Sequence, residues 1–397
     1  MGLLAFAVIT AIAYAVSDII WRWMGVGSLS WGSRRNPKIA LTFDDGPSEH
    51  TQAILELLAR HQIRATFFLT TSRAEAYPQL VEAIKSRGHQ VEAHGYWHRP
   101  AVLMMPWTEW VHIHRSPGKL YRPPMGIHSP FTRLFATLLG KKVALWDLES
   151  QDWLDKDPKA LCERMISYLK PGSVVLLHDR YARTLRLLDL FVPRITKLGY
   201  QPTTLDDLGC APLSFRRGLQ RALQGFDERY FRRHQAVRAG LKPFSMLRIE
   251  KHPFPGPATP EFPVGTPAIL IHIESPRVSE LDPLEVLRTF RQTLREVAEH
   301  VAADPEVKLV YGHSSLAQGG ALFGLKTVPL SGVERMLANL GGAWFVWLYR
   351  GHLPKKTHQP AQLAYISREE LLKRFWQGAA ISSPEASPPP NPPAKTT

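Results

Sequence analysis

The feature that most constrains this chain is an alternation, beginning at residue 38, of short apolar runs with stretches of helical periodicity. Short apolar runs are typical of strands buried on both faces, and the longer amphipathic stretches are typical of helices that cover a parallel sheet. The pattern predicts an α/β domain built from βα units. Seven candidate strands in this rhythm favour a distorted (β/α) barrel over an open sheet.

The boundaries of these elements follow from the apolar runs and the Gly, Pro and Asp residues between them. The candidate strands are Lys38–Phe43, Ala65–Leu69, Gln90–Ala93, Lys119–Tyr121, Val143–Trp146, Ser173–Leu177 and Tyr200–Thr203. The candidate helices are Ile54–His61, Tyr77–Arg87, Pro158–Leu169 and Thr184–Leu198. Prolines at 100, 106 and 117 limit the helix after the third strand to a turn or two around Trp107–His114. We expect the barrel domain over residues 36–208.

The composition changes after Leu208. Residues 213–251 hold ten Lys or Arg and three acidic residues. The net charge of this segment, +7, is half of the net charge of +14 of the whole chain. Seven prolines in residues 243–267 exclude a continuous helix and indicate an extended segment. We therefore expect a basic helix and Pro-rich linker over 209–267, a smaller α+β domain over 268–380, and a disordered tail over 381–397.

The second domain is predicted to contain a helix at Pro283–Ala302 and strands at Ala268–Glu274, Lys308–Tyr311 and Trp344–Tyr349. We interpret the aromatic residues of the last strand as core residues, with a sugar-stacking surface as the alternative. The pair His272 and Glu274 is interpreted as structural. The basic helix is predicted to pack against the barrel through five apolar residues, namely Leu219, Leu223, Phe226, Tyr230 and Phe231.

Residues 1–23 form an apolar segment in which the first charged side chain is Asp18. With its extension to Trp21 the segment reaches the ~20 residues that a bilayer requires, so a membrane anchor is our first interpretation. A signal-like segment and a buried helix are the alternatives. Basic residues follow the segment, which favours a cytoplasmic position for the remainder, whereas the chemistry below favours an extracytoplasmic catalytic domain.

Net positive charge indicates an anionic neighbour, such as a lipid surface or an acidic wall polymer, and residues 213–251 are the candidate contact. The chain has no RRM-type motif and no zinc-finger spacing, so we expect no nucleic acid partner. The two cysteines, Cys162 and Cys210, are too few for a disulfide framework or a thiolate metal cluster. Any metal site must therefore use histidine and carboxylate ligands.

Two motifs follow the first and third candidate strands. Asp44 and Asp45 end the first strand, where neighbouring side chains point in opposite directions, so that one carboxylate can hold a metal while the other faces a reacting atom. An Asp-Gly turn is the simpler alternative. His94 and His98 are one helical turn apart and can converge on one ion. With Asp45 they give three ligands and leave a position for water, as in a catalytic zinc site. His112 and His114, by contrast, are expected on a loop surface.

Three further motifs follow later strands: Arg122-Pro-Pro-Met125, Asp152-Trp153 and Leu176-Leu-His178-Asp179. Together the five motifs, in this order, resemble those of the polysaccharide deacetylases, the carbohydrate esterase family 4 or NodB-homology group. The resemblance covers residues 38–208. Each motif falls at the carboxyl end of a candidate strand, which is where barrel enzymes build their sites.

The resemblance implies a role for each matching residue. Asp44 matches the catalytic base, Arg122 its ion-pair partner, His178 the general acid, and Asp152 the group that orients this histidine. Asp45, His94 and His98 match the ligands of a divalent metal, for which Zn²⁺ is expected first and Co²⁺ or Mn²⁺ next. Three residues match substrate-binding positions: Met125 through its backbone N–H as an oxyanion donor, and Trp153 and Leu176 as the lining of the acyl pocket.

The chain departs from the family pattern at three points: Gly95 stands where a Ser or Thr is usual, Met125 replaces an aromatic residue, and the segment from His98 to Arg122 is short. The implied function is the metal-dependent removal of N-acetyl groups from a peptidoglycan-like or chitin-like glycan. One alternative is a non-catalytic wall- or membrane-binding protein on a deacetylase scaffold. Another is a deacetylase of a small amide or ester. We also expect membrane association through the N-terminal segment.

Overall fold

The computed structural model describes residues 2–18, 20, 23–256, 259, 261–278, 280–314, 320–330, 332–352 and 361–376. The predicted tail over 381–397 lies outside these residues. Two sheets account for all strands in the described part of the chain. The strands of the first are β1 (Lys38–Asp44), β2 (Thr66–Leu69), β3 (Gln90–Ala93), β4 (Leu120–Tyr121), β5 (Lys142–Val143), β6 (Leu148–Glu149), β7 (Val174–His178) and β8 (Gln201–Thr203). Those of the second are β9 (Val237–Arg238), β10 (Leu247–Lys251), β11 (Ala268–Ile273), β12 (Leu309–Ser314), β13 (Lys326–Pro329) and β14 (Gln362–Ser367).

Helices cover both sheets. Those up to the end of the first sheet are α1 (Gly2–Asp18), α2 (Thr51–Arg60), α3 (Thr71–Ala76), α4 (Pro78–Ser86), α5 (Pro106–Arg115), α6 (Pro130–Leu138), α7 (Pro158–Tyr168), α8 (Ala182–Lys197) and α9 (Leu205–Leu208). Those that follow are α10 (Phe215–Arg233), α11 (Ser275–Val278), α12 (Pro283–Ala303), α13 (Gly332–Arg350) and α14 (Arg368–Phe375). Short 3₁₀ turns occur at Ala101–Leu103, Pro124–Gly126 and Ala321–Phe323.

All strand pairs of the first sheet are parallel, in the order β5-β4-β3-β2-β1-β7-β6, with β8 beside the start of β1. The two edge strands are consecutive in the chain. Four residues, Ala144 to Asp147, join them, and a link of this length spans less than about 20 Å even when fully extended. The sheet must therefore curve until its edges approach each other. The prediction of a barrel-type α/β domain is confirmed.

The central strands are buried on both faces, and this explains their apolar runs. Every residue of β1 after Lys38 is buried, as is the whole of β2. Amphipathic helices close one face, as in α2, where Ile54, Leu55, Leu57 and Leu58 are buried. Burial of these side chains contributes ~1.5–3 kcal/mol each. The barrel core therefore fixes where each strand ends, and the strand ends carry the five motifs.

Three predictions for the region after the third strand need correction: the length of one helix, the position of two histidines and the extent of one strand. The helix there, α5, has ten residues and therefore almost three turns, because Pro106 occupies its first turn, where a proline N–H is not needed. His112 and His114 lie on this helix rather than on a loop, and His112 is buried. The predicted strand Val143–Trp146 is reduced to β5, and β6 was not predicted.

The second sheet is mixed, with the order β13-β14-β12-β11-β10-β9 and one parallel pair, β11–β12. Helices α12 and α14 pack on it, which confirms a smaller α+β unit. Its first strands lie before residue 268, so part of the predicted linker is strand. The reason is local: residues 244–252 contain no proline, so the N–H groups of β10 are free to pair.

Other predictions for this part of the chain also need correction. Trp344 and Tyr349 lie in helix α13 rather than in a strand, because the run is flanked by good helix formers. His272 and Glu274 do not form a pair, since His272 contacts Glu250 and Glu274 contacts two arginines. In α10 the buried residues are Gly218, Gln220 and Ala222. Of the five apolar residues predicted to pack, Phe226 and Tyr230 are exposed.

The N-terminal segment begins with α1, a helix of 17 residues. Its side chains Leu4, Phe6 and Ile9 are largely exposed. No helix in the described part of the chain is long and apolar enough to cross a membrane.

A buried carboxylate joins the second unit to the barrel. Glu274 accepts hydrogen bonds from Arg248 and Arg277, and Arg277 also donates to the carbonyl of Leu169 at the end of α7. Burial alone raises the pKa of Glu274, but the charges of Arg277 and Arg248 outweigh this effect and lower it far below its ordinary value. The group is therefore an anion that neutralises two buried cations.

We expect Glu274→Ala to lower the free energy of unfolding by ~3–5 kcal/mol, because it leaves two buried guanidinium groups without a counter-charge. The measurement is the midpoint of urea unfolding followed by circular dichroism. Glu306→Ala, at an exposed glutamate, is the matched control and should change stability by no more than ~0.5 kcal/mol. Equal effects of the two substitutions would contradict the assigned role of Glu274.

Candidate active site

All ten residues singled out by the motifs lie at or near the carboxyl edge of the first sheet. Asp44 ends β1, His94 follows β3, and Arg122 follows β4. Asp152 comes three residues after β6, and His178 ends β7. Because the strands are parallel, their carboxyl ends meet at one edge. The parallel register pairs Asp44 directly with His178.

Asp45, His94 and His98 converge as a three-ligand set. The Nε2 atoms of His94 and His98 lie 3.4 and 2.9 Å from Asp45 Oδ1, and one candidate ligand atom from each residue lies within 4.8 Å of the others. Asp45 and His94 are buried, while His98 is partly open to solvent. Three ligands with one open side are the arrangement of a catalytic metal site.

The donor atoms of this set fit a divalent cation. Asp45 Oδ1 is buried and accepts no hydrogen bond of good geometry, although two imidazoles lie near it. His94 Nδ1 lies 2.9 Å from the carbonyl oxygen of Arg122, so this nitrogen donates and Nε2 is left with its lone pair directed at Asp45. The lone pairs of His94 Nε2 and Asp45 Oδ1 face one point, and this arrangement is favourable only when a cation lies between the two atoms.

The electrostatics of Asp45 also favour the anion. Burial by itself raises the pKa of Asp45, but the interactions with the nearby imidazoles of His94 and His98 outweigh burial, and the net pKa is well below the ordinary value. The guanidinium of Arg180 adds a further positive group, with Nη1 4.0 Å from Asp45 Oδ2. Asp45 is thus ionised, as a metal ligand must be.

Asp44 is held by a fully buried arginine. Arg122 Nη1 donates to Asp44 Oδ1 at 2.8 Å and to Thr42 Oγ1 at 2.7 Å, and Nη2 donates to the carbonyl of Leu145 at 3.1 Å. The guanidinium carbon lies 3.9 Å from the ring centroid of Phe68. The second carboxylate oxygen, Oδ2, lies 3.7 Å from His94 Nε2 and so faces the ligand set. Arg122 therefore leaves one oxygen of Asp44 available at the site.

His178 is oriented by a buried carboxylate. Its Nδ1 lies 2.7 Å from Asp152 Oδ1, and its backbone N–H donates to Asp152 Oδ2 at 2.8 Å. Thr184 Oγ1 donates to the same Oδ2 at 2.7 Å. Burial opposes protonation of His178, but Asp152 favours the imidazolium, as do the charges of Asp44 and Asp45, and the net pKa is raised. The ring Nε2 is the atom left to act on a substrate.

The three predicted substrate residues surround this centre in different ways. Met125 has an exposed side chain and a φ of 58°, within the turn after Arg122. Trp153 is half-exposed, and its Nε1 donates to Glu149 at 2.9 Å. Leu176 is buried and lies two residues before His178 on β7, so both side chains point to the same face of the strand. The side chains of Met125 and Trp153 are thus accessible to solvent, and that of Leu176 is buried.

Left-handed backbone conformations concentrate at this edge of the sheet. Asp45, His98, Met125 and Gln151 all have φ between 54° and 74°, a range that costs non-glycine residues energy. Gly95 has a φ of 74° as well. The absence of a side chain at Gly95 is therefore compatible with a turn that brings His94 and His98 together, although a Ser or Thr at this position would add a hydroxyl group.

Two residues next to His178, Asp179 and Arg180, contact the site, and sequence reasoning assigned a role to neither. Asp179 is buried against the Asp44–Asp45 turn, where its carboxylate accepts from Thr51 Oγ1 at 2.7 Å. Its backbone N–H donates to the carbonyl of Asp44 at 2.9 Å. Burial raises the pKa of Asp179 to about 7. The signal for Asp179 was its position next to His178, whereas nothing in the sequence marked Arg180 as a neighbour of Asp45.

Comparison with known proteins agrees with this geometry. The sequence pattern of the family described as polysaccharide deacetylase matches residues 32–144. The chain is 28% identical over 187 residues to the peptidoglycan-N-acetylglucosamine deacetylase PgdA of Listeria monocytogenes. The aligned region covers 44% of this chain and 40% of that protein. It is 31% identical over 182 residues to the peptidoglycan-N-acetylmuramic acid deacetylase PdaC of Bacillus subtilis, which is 43% of this chain and 38% of that protein.

A peptidoglycan-N-acetylglucosamine deacetylase of Bacillus cereus is 30% identical over 193 residues, which is 45% of this chain and 70% of that protein. The chain therefore spans about two fifths of the length of the first two relatives and more than two thirds of the third. The matched family pattern, the coverage of the third relative and the five strand-end motifs show that this chain belongs to the polysaccharide deacetylase family.

Proposed function

We propose that this protein is a metal-dependent hydrolase that removes N-acetyl groups from a glycan of N-acetylglucosamine type, such as peptidoglycan or a chitin-like polymer. The observation that carries the proposal is the register of β1 and β7, which sets Asp44 beside His178 at the Asp45-His94-His98 set. The relatives named as peptidoglycan deacetylases support the same chemistry and wall-type substrate.

Asp45, His94 and His98 would hold the divalent ion, for which we propose Zn²⁺, with Co²⁺ or Mn²⁺ as substitutes. Bound there, such an ion polarises a carbonyl and lowers the pKa of water from ~15.7 toward ~7. Borderline-soft histidine nitrogens with one carboxylate suit these metals better than they suit Ca²⁺ or Mg²⁺, which prefer oxygen ligands.

Asp44 acts as the general base in this proposal. It takes a proton from the attacking water on Oδ2, because Oδ1 is occupied by Arg122. The buried guanidinium holds Asp44 in place as its counter-charge, because a buried positive charge without a partner is costly. General-base catalysis by a positioned group contributes ~10²–10⁴-fold in rate.

His178 acts as the general acid. The amine of the sugar is a poor leaving group and must receive a proton as the carbon–nitrogen bond breaks. Asp152 holds Nδ1, so Nε2 carries the proton that is transferred.

The backbone N–H of Met125 is the proposed donor to the oxyanion, and a single donor of this kind is worth roughly 2.7–4 kcal/mol in comparable sites. Trp153 and Leu176 would enclose the acetyl methyl group.

We expect Asp44→Asn to lower the rate of acetate release from an acetylated glucosamine oligomer by ~10²–10⁴-fold while the protein still binds zinc. His98→Ala should remove both activity and tight zinc binding, because it deletes a ligand. Acetate assays and metal analysis give the two readouts. Asp189→Asn and His61→Ala, at exposed positions outside the site, serve as matched controls.

Full activity of Asp44→Asn would show that the assigned base is wrong. Absence of acetate release by the folded wild-type protein with Zn²⁺, Co²⁺ and Mn²⁺ would instead contradict deacetylation itself. Polymer binding without release would then favour the non-catalytic function, and turnover of only a small amide or ester would favour the other alternative.

The pH dependence tests the acid. Because Asp152 raises the pKa of His178, the wild-type protein should keep its imidazolium, and hence its activity, to a higher pH than a free histidine allows. Asp152→Asn removes this effect, so the alkaline limb of kcat/KM should move to lower pH and the maximum rate should fall. The pH–rate profile measures this shift. An unchanged alkaline limb in Asp152→Asn would exclude His178 as the acid.

We further propose that the chain associates with a membrane through its N-terminal segment and works outside the cytoplasm, where a wall polymer is accessible. The exposed apolar side chains of α1 support the contact. The basic segment 213–251 supports attraction to anionic lipid or wall polymer.

In intact cells, added protease should degrade the catalytic domain, and the protein should sediment with the membrane fraction. A cytoplasmic protein of the same cells, which should stay intact, controls for lysis. Protection of the catalytic domain until the cells are broken would contradict an extracytoplasmic site and a mature wall substrate.

A further inference from the structure

Helix α13 carries its large apolar residues on the side that faces solvent. Val333, Met336, Leu337, Leu340 and Trp344 are each between 46% and 67% exposed. Their spacing of three and four residues places them on one helix face, and Trp347 extends this face by one more turn, with its ring 5.1 Å from that of Trp344. We call these six residues the outer stripe.

The inner face of α13 is already used by the fold. Leu348 and Tyr349 are buried, and Ala338 packs against the core cluster beneath β12 and β14. The outer stripe is therefore a second apolar face, which runs for ~21 Å along the helix at 1.5 Å per residue. Contiguous exposed apolar surface of this kind marks an interaction site rather than a packing requirement.

The carboxyl end of α13 contacts α10, which also contacts residues shortly after the N-terminal segment. Arg216 and Gln220 of α10 both donate to the carbonyl of Leu348, at 2.8 and 2.6 Å. At the same level of α10 but on its opposite face, Gly218 packs under residues 24–26, so closely that a methyl group there would lie 3.0 Å from the carbonyl of Met24. The end of the outer stripe and residues 24–26 therefore flank the same turn of α10.

This junction lies at the amino end of the barrel. Arg350, the last residue of α13, donates to the carbonyl of Leu281 at 3.2 Å. The neighbouring Glu280 accepts from Ser33 Oγ and Arg34 N, at 2.7 and 2.8 Å, four residues before β1 begins. Asp44 lies at the other end of β1, ~20 Å away at about 3.3 Å per residue. The outer stripe and the candidate active site thus belong to opposite ends of the barrel.

We propose that the outer stripe docks on an anionic lipid bilayer, beside the contact made by α1, and that this contact directs the catalytic edge of the barrel away from the membrane. Three features select a bilayer as the occupant. The stripe ends at the turn of α10 that residues 24–26, shortly after the mainly apolar helix α1, also contact. It contains two tryptophans, which favour the membrane interface. Basic residues, among them Arg216 and Arg350, lie at its end and suit anionic headgroups.

The test is the partition of the full chain onto vesicles of phosphatidylglycerol and phosphatidylcholine, measured by co-sedimentation. The double substitution Leu337→Glu and Leu340→Glu should weaken partition roughly tenfold or more, because two apolar side chains no longer enter the interface. Leu134→Glu with Leu138→Glu, at equally exposed leucines of α6 on the barrel, is the matched control and should leave partition unchanged. Circular dichroism verifies that both variants are folded.

A second measurement tests whether the outer stripe itself contacts the lipid. A polarity-sensitive dye attached at Leu340→Cys should shift to shorter wavelength on addition of the anionic vesicles, whereas the same dye at Arg335→Cys, on another face of α13, should not. Equal partition of wild-type protein and the double variant overturns the proposal, as does equal partition onto vesicles with and without phosphatidylglycerol. A dimer in lipid-free solution that the double substitution dissociates would also overturn it, in favour of a second copy of this chain.

The proposal does not depend on deacetylation. Acetate release from a soluble oligomer should be the same for wild-type protein and the double variant, because the substituted residues lie far from Asp44 and His178. Loss of vesicle binding with unchanged acetate release supports the docking surface, and loss of acetate release in the Leu337→Glu and Leu340→Glu variant contradicts the separation of the two ends.

Discussion

A single buried guanidinium connects the strands that build the candidate active site. Arg122 enters from the end of β4, and its nitrogens reach Thr42 and Asp44 on β1 and the carbonyl of Leu145 after β5. No side-chain atom of Arg122 is open to water, so its charge is balanced inside the protein by Asp44. Its own carbonyl fixes the His94 tautomer. Asp44, His94 and three strand ends therefore depend on one residue, and the cost of an unpaired buried charge keeps them in register.

The barrel strands and the site residues could be predicted because they leave strong local signals. Apolar runs buried on both faces define β1, β2 and β7, and the motifs lie at or shortly after strand ends. Parallel pairing alone then places those strand ends at one edge of the sheet. By contrast, the length of α5 is underestimated from the sequence, because the prolines around it are interpreted as breaks. One of them, Pro106, occupies the first turn of the helix, where it is tolerated.

The second unit was harder to predict, since its contacts are between residues distant in the chain. The strand β10 lies between prolines in the sequence, and its pairing with β11 and β9 defines it. Residues 344–349 resemble a strand in composition, yet they continue a helix of 19 residues. Glu274 pairs with Arg277 three residues away, a local contact, but also with Arg248 on β10, which no sequence pattern could indicate.

Strained backbone is concentrated at one end of the barrel, the end that carries the candidate active site. Of the six non-glycine residues with positive φ in the described part of the chain, those at positions 45, 98, 125 and 151 lie at the carboxyl edge of the barrel. Each lies within five residues of a strand end, and the packed strands hold these turns in place. At the amino end, Gly172 lies against the backbone of residues 32 and 33, and Glu280 of the second unit accepts hydrogen bonds from Ser33 and Arg34. One end of the barrel thus concentrates strained, polar, partly open backbone suited to chemistry, and the other end provides rigid attachment.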